Sequence, residues 1–162
     1  VIYAGLARVA YYQRDYAAAI AYAREAISLN PRRVESLTLI GLALEQLGRR
    51  REARDAFRAL IAADADRPDE RVLEAELLAH AGARTAAGAR IDSVIRSHPR
   101  DGYALLDAAL GYVTAGRATT ALRLLPRIPF GGGLSRTWTA LDPRLDPVRN
   151  DPRFARWTTV TG

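Results

Sequence analysis

The sequence predicts an all-α protein: a right-handed α-solenoid of about four helix hairpins with a C-terminal capping segment. Three observations predict it. Apolar residues make up 49% of the 162 residues, aromatics only 7%, and alanine is abundant, a composition that favours packed helices over strands. Small and apolar residues also recur at a fixed interval of 34 residues. Ala19, Ala53, Ala87 and Ala121 form one column, Arg14, Gly48, Gly82 and Gly116 a second, and Ala7, Gly41, Ala75 and Ala109 a third. Finally, Pro31 and Pro99 close the first and third intervals at one offset, where a missing N–H and a fixed φ end a helix.

Each element follows from these columns. The windows are 1–33, 34–67, 68–101 and 102–135. The glycine column supplies the left-handed residue that stops a first helix cheaply. The two small columns mark where neighbouring helices come close, since a large side chain there would hold the backbones apart. The column of Ala23, Phe57, Ile91 and Leu125, and that of Ala26, Leu60, Val94 and Ile128, lie three apart on the second helices and face their partners. Helices are therefore expected at 2–13, 16–29, 34–47, 50–63, 68–81, 84–97, 102–115 and 118–126, with Pro126 cutting the last one short. The repeats occupy 1–129, and 130–136 is a glycine-rich link. Residues 137–162 form a tail in which Asp142-Pro143, Asp146-Pro147 and Asp151-Pro152 each pair an N-cap with a good first helical residue. Two short helical turns and a helix from about 152 are expected there. Trp138, Leu141, Leu145, Val148, Phe154 and Trp157 would cover the end of the stack.

The pattern resembles the tetratricopeptide repeat, a helix–turn–helix unit of 34 residues. Leu6-Ala7, Ala19 and Pro31 carry the resemblance, then Ile40-Gly41, Leu44, Gly48, Ala53 and Phe57. Ala75, Leu78, Gly82, Ala87 and Pro99 come next, then Ala109, Tyr112, Gly116 and Ala121. The large aromatic early in the family's first helix is replaced by Tyr3, Leu37, Arg71 and Leu105. The tail resembles the endings of bacterial multidomain regulators, in which such arrays follow a kinase, cyclase or winged-helix domain. With no Met at residue 1 and Val1 falling one residue inside a window, the chain is expected to be the C-terminal part of a longer protein.

The residues point away from catalysis. There is no Cys, so thiolate chemistry and Cys–metal sites are excluded. His80 and His98 lie 18 apart without ligand spacing, Glu74 and Glu76 diverge on one helix, and Gly131-Gly132-Gly133 lacks the strand and Lys-Ser/Thr of a phosphate loop. No enzyme activity, metal or cofactor is assigned. No apolar run approaches the roughly 20 residues of a membrane-spanning helix. All 24 basic residues are Arg, read as the bias of a GC-rich genome, and 18 acids are interleaved with them, so the net charge of +6 has the look of solvated helices. Nucleic acid is accordingly the less favoured partner.

The resemblance implies a concave groove lined by the first helices and a protein or peptide ligand. The residues mapped to it are Arg8, Tyr12, Glu35, Leu39, Leu42, Glu45, Asp69, Glu76, His80, Tyr103 and Asp107. Its mixture of aliphatic residues and carboxylates suits a basic, amphipathic peptide. The residues at the carboxylate-clamp places of chaperone-binding members are Ala4, Arg8, Leu39, Asp69 and Leu73, of which only Arg8 could serve, so that ligand is rejected. A second surface, Arg49, Arg50, Arg51, Arg54 and Arg58, is read as a solvated face, with an acidic partner or a nucleic-acid backbone as the alternative. A third reading is an oligomerisation module using the N-terminal face.

Overall fold

Four residues in the left-handed region punctuate the chain at the expected interval: Arg14 (φ 65°), Gly48 (71°), Gly82 (83°) and Gly116 (74°). Each ends a helix in the same way. The N–H of the left-handed residue donates to the carbonyl three residues back, and the next N–H donates to the carbonyl five back. Gly48 thus bonds Glu45 and Arg49 bonds Leu44, both at 2.9 Å, with the same pair of bonds at the other three sites. This Schellman closure satisfies carbonyls that a helix end otherwise leaves orphaned.

The structure is a computed structural model that describes residues 2–31, 34–63, 75, 78–79, 82–131 and 134–159. It is all-α, a helical-repeat fold. It divides into two compact units, Val1–Asp66 and Arg67–Gly162.

The first unit holds α1 (Ile2–Tyr12), α2 (Tyr16–Leu29), α3 (Val34–Gln46) and α4 (Arg50–Ala63). Consecutive helices pack on one another, and α1 also packs on α3, so the first helices of successive hairpins are neighbours. The small columns explain the approach. Ala7, Ala19, Ala23 and Ala53 are wholly covered. At Gly41 a Cβ would stand 2.5 Å from the buried Phe57 ring, so the largest residue of its column faces the one glycine of the facing column. Asp15 caps α2 by accepting from the Ala18 N–H at 3.0 Å.

The second unit holds α5 (Arg84–Ser97), α6 (Gly102–Thr114) and α7 (Ala118–Leu124), then α8 (Arg136–Ala140) and α9 (Pro152–Thr159). Ala75, Leu78 and Ala79 are helical too. The rest of the helix expected at 68–81 lies outside the described residues. Pro126 does end α7, inside a 3₁₀ turn at Leu125–Arg127. In the link, Gly131 and Leu134 exchange two backbone hydrogen bonds of 3.0 Å.

The tail departs from its expected form in two places. Its first helix, α8, is started by Ser135, whose hydroxyl accepts from the Trp138 N–H, and not by an Asp-Pro pair. Asp146-Pro147 falls inside the 3₁₀ helix Pro143–Val148, which Asp142 has already opened. Leu145, Val148, Phe154 and Trp157 share one buried cluster with Ile91, Leu105, Tyr112 and Leu124. Trp138 and Leu141, expected among the covering residues, are exposed.

Two Asp-Pro-Arg runs form matching staples. Asp142 accepts from the Arg144 backbone N–H (2.9 Å), Nε (3.1 Å) and Nη2 (2.8 Å). Asp151 does the same with Arg153 at 2.8, 3.0 and 2.8 Å. Arg149 clasps the segment by donating to the Ala140 carbonyl at 2.7 Å while lying over the Phe154 ring.

Candidate functional site

The first-helix residues fall into both units and are taken unit by unit. In the first, Arg8 on α1 donates to Glu35 on α3, an exposed pair bridging neighbouring first helices. Tyr12 lies edge-on to the buried Tyr11, ring centroids 5.8 Å apart. Glu45 is half-buried near the end of α3. Leu39 and Leu42 are buried, so they belong to the packing of the repeat and offer little surface. Ile2, Leu6 and Val9, one helical turn apart on α1, are exposed.

In the second unit, Tyr103 stands exposed near the start of α6 and Asp107 is half-buried one turn on. Asp101 caps this helix, accepting from the N–H groups of Tyr103 (2.9 Å) and Ala104 (3.1 Å), which fixes where Tyr103 emerges. Asp69, Glu76 and His80 lie outside the described residues.

The basic cluster opens α4. Arg49 makes a two-pronged pair with Glu52 (2.7 and 2.6 Å), and Arg58 pairs with Asp55 at 3.2 Å. The hydrogen bond from Arg49 lowers the Glu52 carboxyl below its ordinary range. Arg50 and Arg51 are exposed, and Arg54 is half-buried. Two of the five positive charges are thus already met by carboxylates of the same helix, in exposed pairs that water and salt screen.

A further polar cluster escaped the sequence reading. The Tyr112 hydroxyl donates to Asp92, Arg117 lies 5.0 Å above the Tyr112 ring, and its guanidinium stands 3.9 Å from Asp92. Burial, helped by the bond to Asp92, raises the phenol pKa far above its ordinary value. Gly88 makes the arrangement possible, because a Cβ there would collide with the Arg117 guanidinium. The three residues share no column, so no spacing in the sequence announces them. Tyr112 sits in a repeat column and reads there as core alone.

Among the described residues, no group of three or more His, Cys, Asp or Glu side chains could hold a metal ion. No helix is long and apolar enough to cross a membrane, again among the described residues.

Comparison with known proteins agrees with the geometry. The profile of the tetratricopeptide repeat family matches residues 5–68 and 39–101. A crystal structure of YrrB, a tetratricopeptide-repeat protein with an unusual peptide-binding site, superposes with a TM-score of 0.51 at 13% identity, covering 96% of this chain and 80% of that one. A crystal structure of MamA gives 0.49 at 16% identity, covering 97% of this chain and 88% of that one. No curated protein matches the sequence. With a 34-residue hairpin closed four times by one backbone device and the family profile spanning more than half its length, the chain belongs to the tetratricopeptide repeat family.

Proposed function

We propose that the chain is a non-enzymatic interaction module, a scaffold or sensor arm of a larger bacterial signalling or regulatory protein. It binds a basic, amphipathic peptide or partner helix along the first helices of its hairpins. The observation that carries this reading is the contact of α1 with α3, bridged at the surface by Arg8 and Glu35. It gives a ligand two neighbouring helices to lie against, with Tyr12 on α1 and Glu45 on α3 as further proposed contacts. In the second unit the first-helix residues proposed for the same role are Tyr103 and Asp107, with Asp69, Glu76 and His80. YrrB has a peptide-binding site on this fold, although at 13% identity the likeness reaches only the fold.

Fluorescence anisotropy with a labelled Leu/Arg amphipathic helix peptide tests the proposal. The double variant Glu35→Gln/Glu45→Gln should weaken binding roughly tenfold while leaving far-UV helicity unchanged. Equal affinity for the variant and the parent protein would rule the surface out.

A second reading rests on Arg50 and Arg51, exposed and without a carboxylate partner among the described residues. If they contact a nucleic-acid backbone, RNA or DNA affinity should fall steeply with salt. Reversing Arg50, Arg51 and Arg54 to Glu should abolish it, and binding indifferent to both excludes this reading.

A further inference from the structure

The interleaving of charges described for the whole chain fails at its end. From Arg117 onwards there are eight arginines and three aspartates, a net of +5 out of the total of +6, and residues 1–116 are close to neutral. All three aspartates are occupied by arginines two or three residues away: Asp142 by Arg144, Asp146 by Arg149, Asp151 by Arg153. Within residues 117–162 the aspartates thus offset three of the eight arginines, and Asp92 meets Arg117 from outside that stretch.

Within the second unit three of these arginines, Arg136, Arg153 and Arg156, line a cleft of about 360 Å³ together with Leu122, Pro126 and Trp157. Its floor is apolar, built from the buried Leu122 and Trp157. Every polar side chain in the lining is a donor and none is an acceptor, because guanidinium and indole groups carry N–H only. Asp151 holds Arg153 in place through two guanidinium bonds, and Arg136 is stacked 5.2 Å over the Phe130 ring. The Arg156 side chain makes no hydrogen bond or ion pair among the described residues and feels Asp151 only through space. The Trp157 indole N–H has no acceptor among them either.

We infer that this cleft is a docking site for an acidic segment of a partner protein: one apolar side chain enters between Leu122, Pro126 and Trp157, and flanking carboxylates meet Arg136, Arg153 and Arg156. The volume suits a single large side chain and excludes a whole helix. A donor-only rim demands a ligand that supplies acceptors, and the net charge demands that they be anionic. The site is separate from the first-helix surface proposed above, and it takes a partner of opposite charge.

The test uses the full chain carrying Trp138→Phe, which leaves Trp157 as the only tryptophan. The probe is a synthetic peptide with one phenylalanine flanked by glutamates, and binding is read from Trp157 emission and from anisotropy of a label on the peptide. The peptide should bind and shift the emission. Arg156→Glu should weaken binding roughly tenfold, as should replacing the peptide's glutamates with glutamine, whereas Glu45→Gln should change nothing. No binding by the acidic peptide, or binding that Arg156→Glu leaves intact, overturns the proposal. So does an RNA oligonucleotide or polyphosphate binding more tightly than the peptide with the same dependence on Arg156, which would make the surface a general polyanion site. Loss of the basic peptide on the Glu35/Glu45 variant bears on the other surface alone, so the two readings fail separately.

Discussion

Arg14 occupies a backbone conformation that its three counterparts reach with glycine. A side chain at positive φ crowds the following carbonyl, at a cost of about 1–2 kcal/mol. Here Arg14 partly answers that by donating from its guanidinium to the Tyr12 carbonyl at 3.3 Å. Replacing Arg14 with Gly should remove the crowding, offset in part by the greater freedom of glycine in the unfolded chain. A net gain of about 0.5–1 kcal/mol in urea unfolding is expected, and a loss would show that the left-handed turn costs Arg14 nothing. The residue column was legible in the sequence because a left-handed turn favours glycine, which fills three of its four places. Tyr112, Asp92 and Arg117 were not, since a polar trio whose members share no one column leaves no periodic trace.

Among elements, the pairing of small and large columns decides how closely helices pack. Gly41 faces Phe57, while at the same two places the other hairpins carry Ala7 with Ala23, Ala75 with Ile91 and Ala109 with Leu125. Gly41→Ala alone should cost about 1–2 kcal/mol, because the buried ring cannot retreat and this outweighs the better helix propensity of alanine. Gly41→Ala/Phe57→Leu copies the pair at 109 and 125 and should recover most of the loss, a coupling that a double-mutant cycle reads directly. Additive losses would mean the two residues do not meet. The tail offers an element of another kind. The guanidinium of Arg153, bonded to Asp151, holds that carboxyl at about 2, against an ordinary 3.8. Since the folded value is the lower one, the staple contributes fully above pH ~3.8 and is lost as pH falls through ~2. Trp157 emission should therefore loosen over that interval in the parent and less so in Asp151→Asn. A parent with a flat profile would refute the role of the staple. The helices of the repeats whose bounds are described could be read from their columns to within a residue or two. In the tail, three Asp-Pro pairs signal three starts, and only the packing shows that one of them is absorbed into a turn already begun.

At the scale of the molecule, each unit has its own buried residues, and the probes divide with them. Both tryptophans lie in 67–162, whereas far-UV dichroism sees helices throughout. Phe57→Ala empties a fully buried site in 1–66 and should cost about 3–5 kcal/mol. In a repeat protein whose stability is a sum over neighbouring units, that loss should advance the dichroism transition ahead of the tryptophan transition. Coincident curves would instead mean that the whole chain unfolds as one. Chain-wide composition was equally partial as a guide to the surface. A total of +6 describes neither unit well, and only the folded tail shows that Arg136 joins Arg153 and Arg156 around the cleft beside Trp157.

The hairpin closures are made by main-chain atoms and one left-handed residue, with no side chain needed to hold them. The position just after each closure is therefore at liberty to vary: an aspartate at 15, an alanine at 83 and arginines at 49 and 117 all occupy the same place. Selection can rewrite the character of that corner, from acidic to neutral to basic, while the architecture beneath it stays as it was, so new recognition can evolve there without first risking collapse.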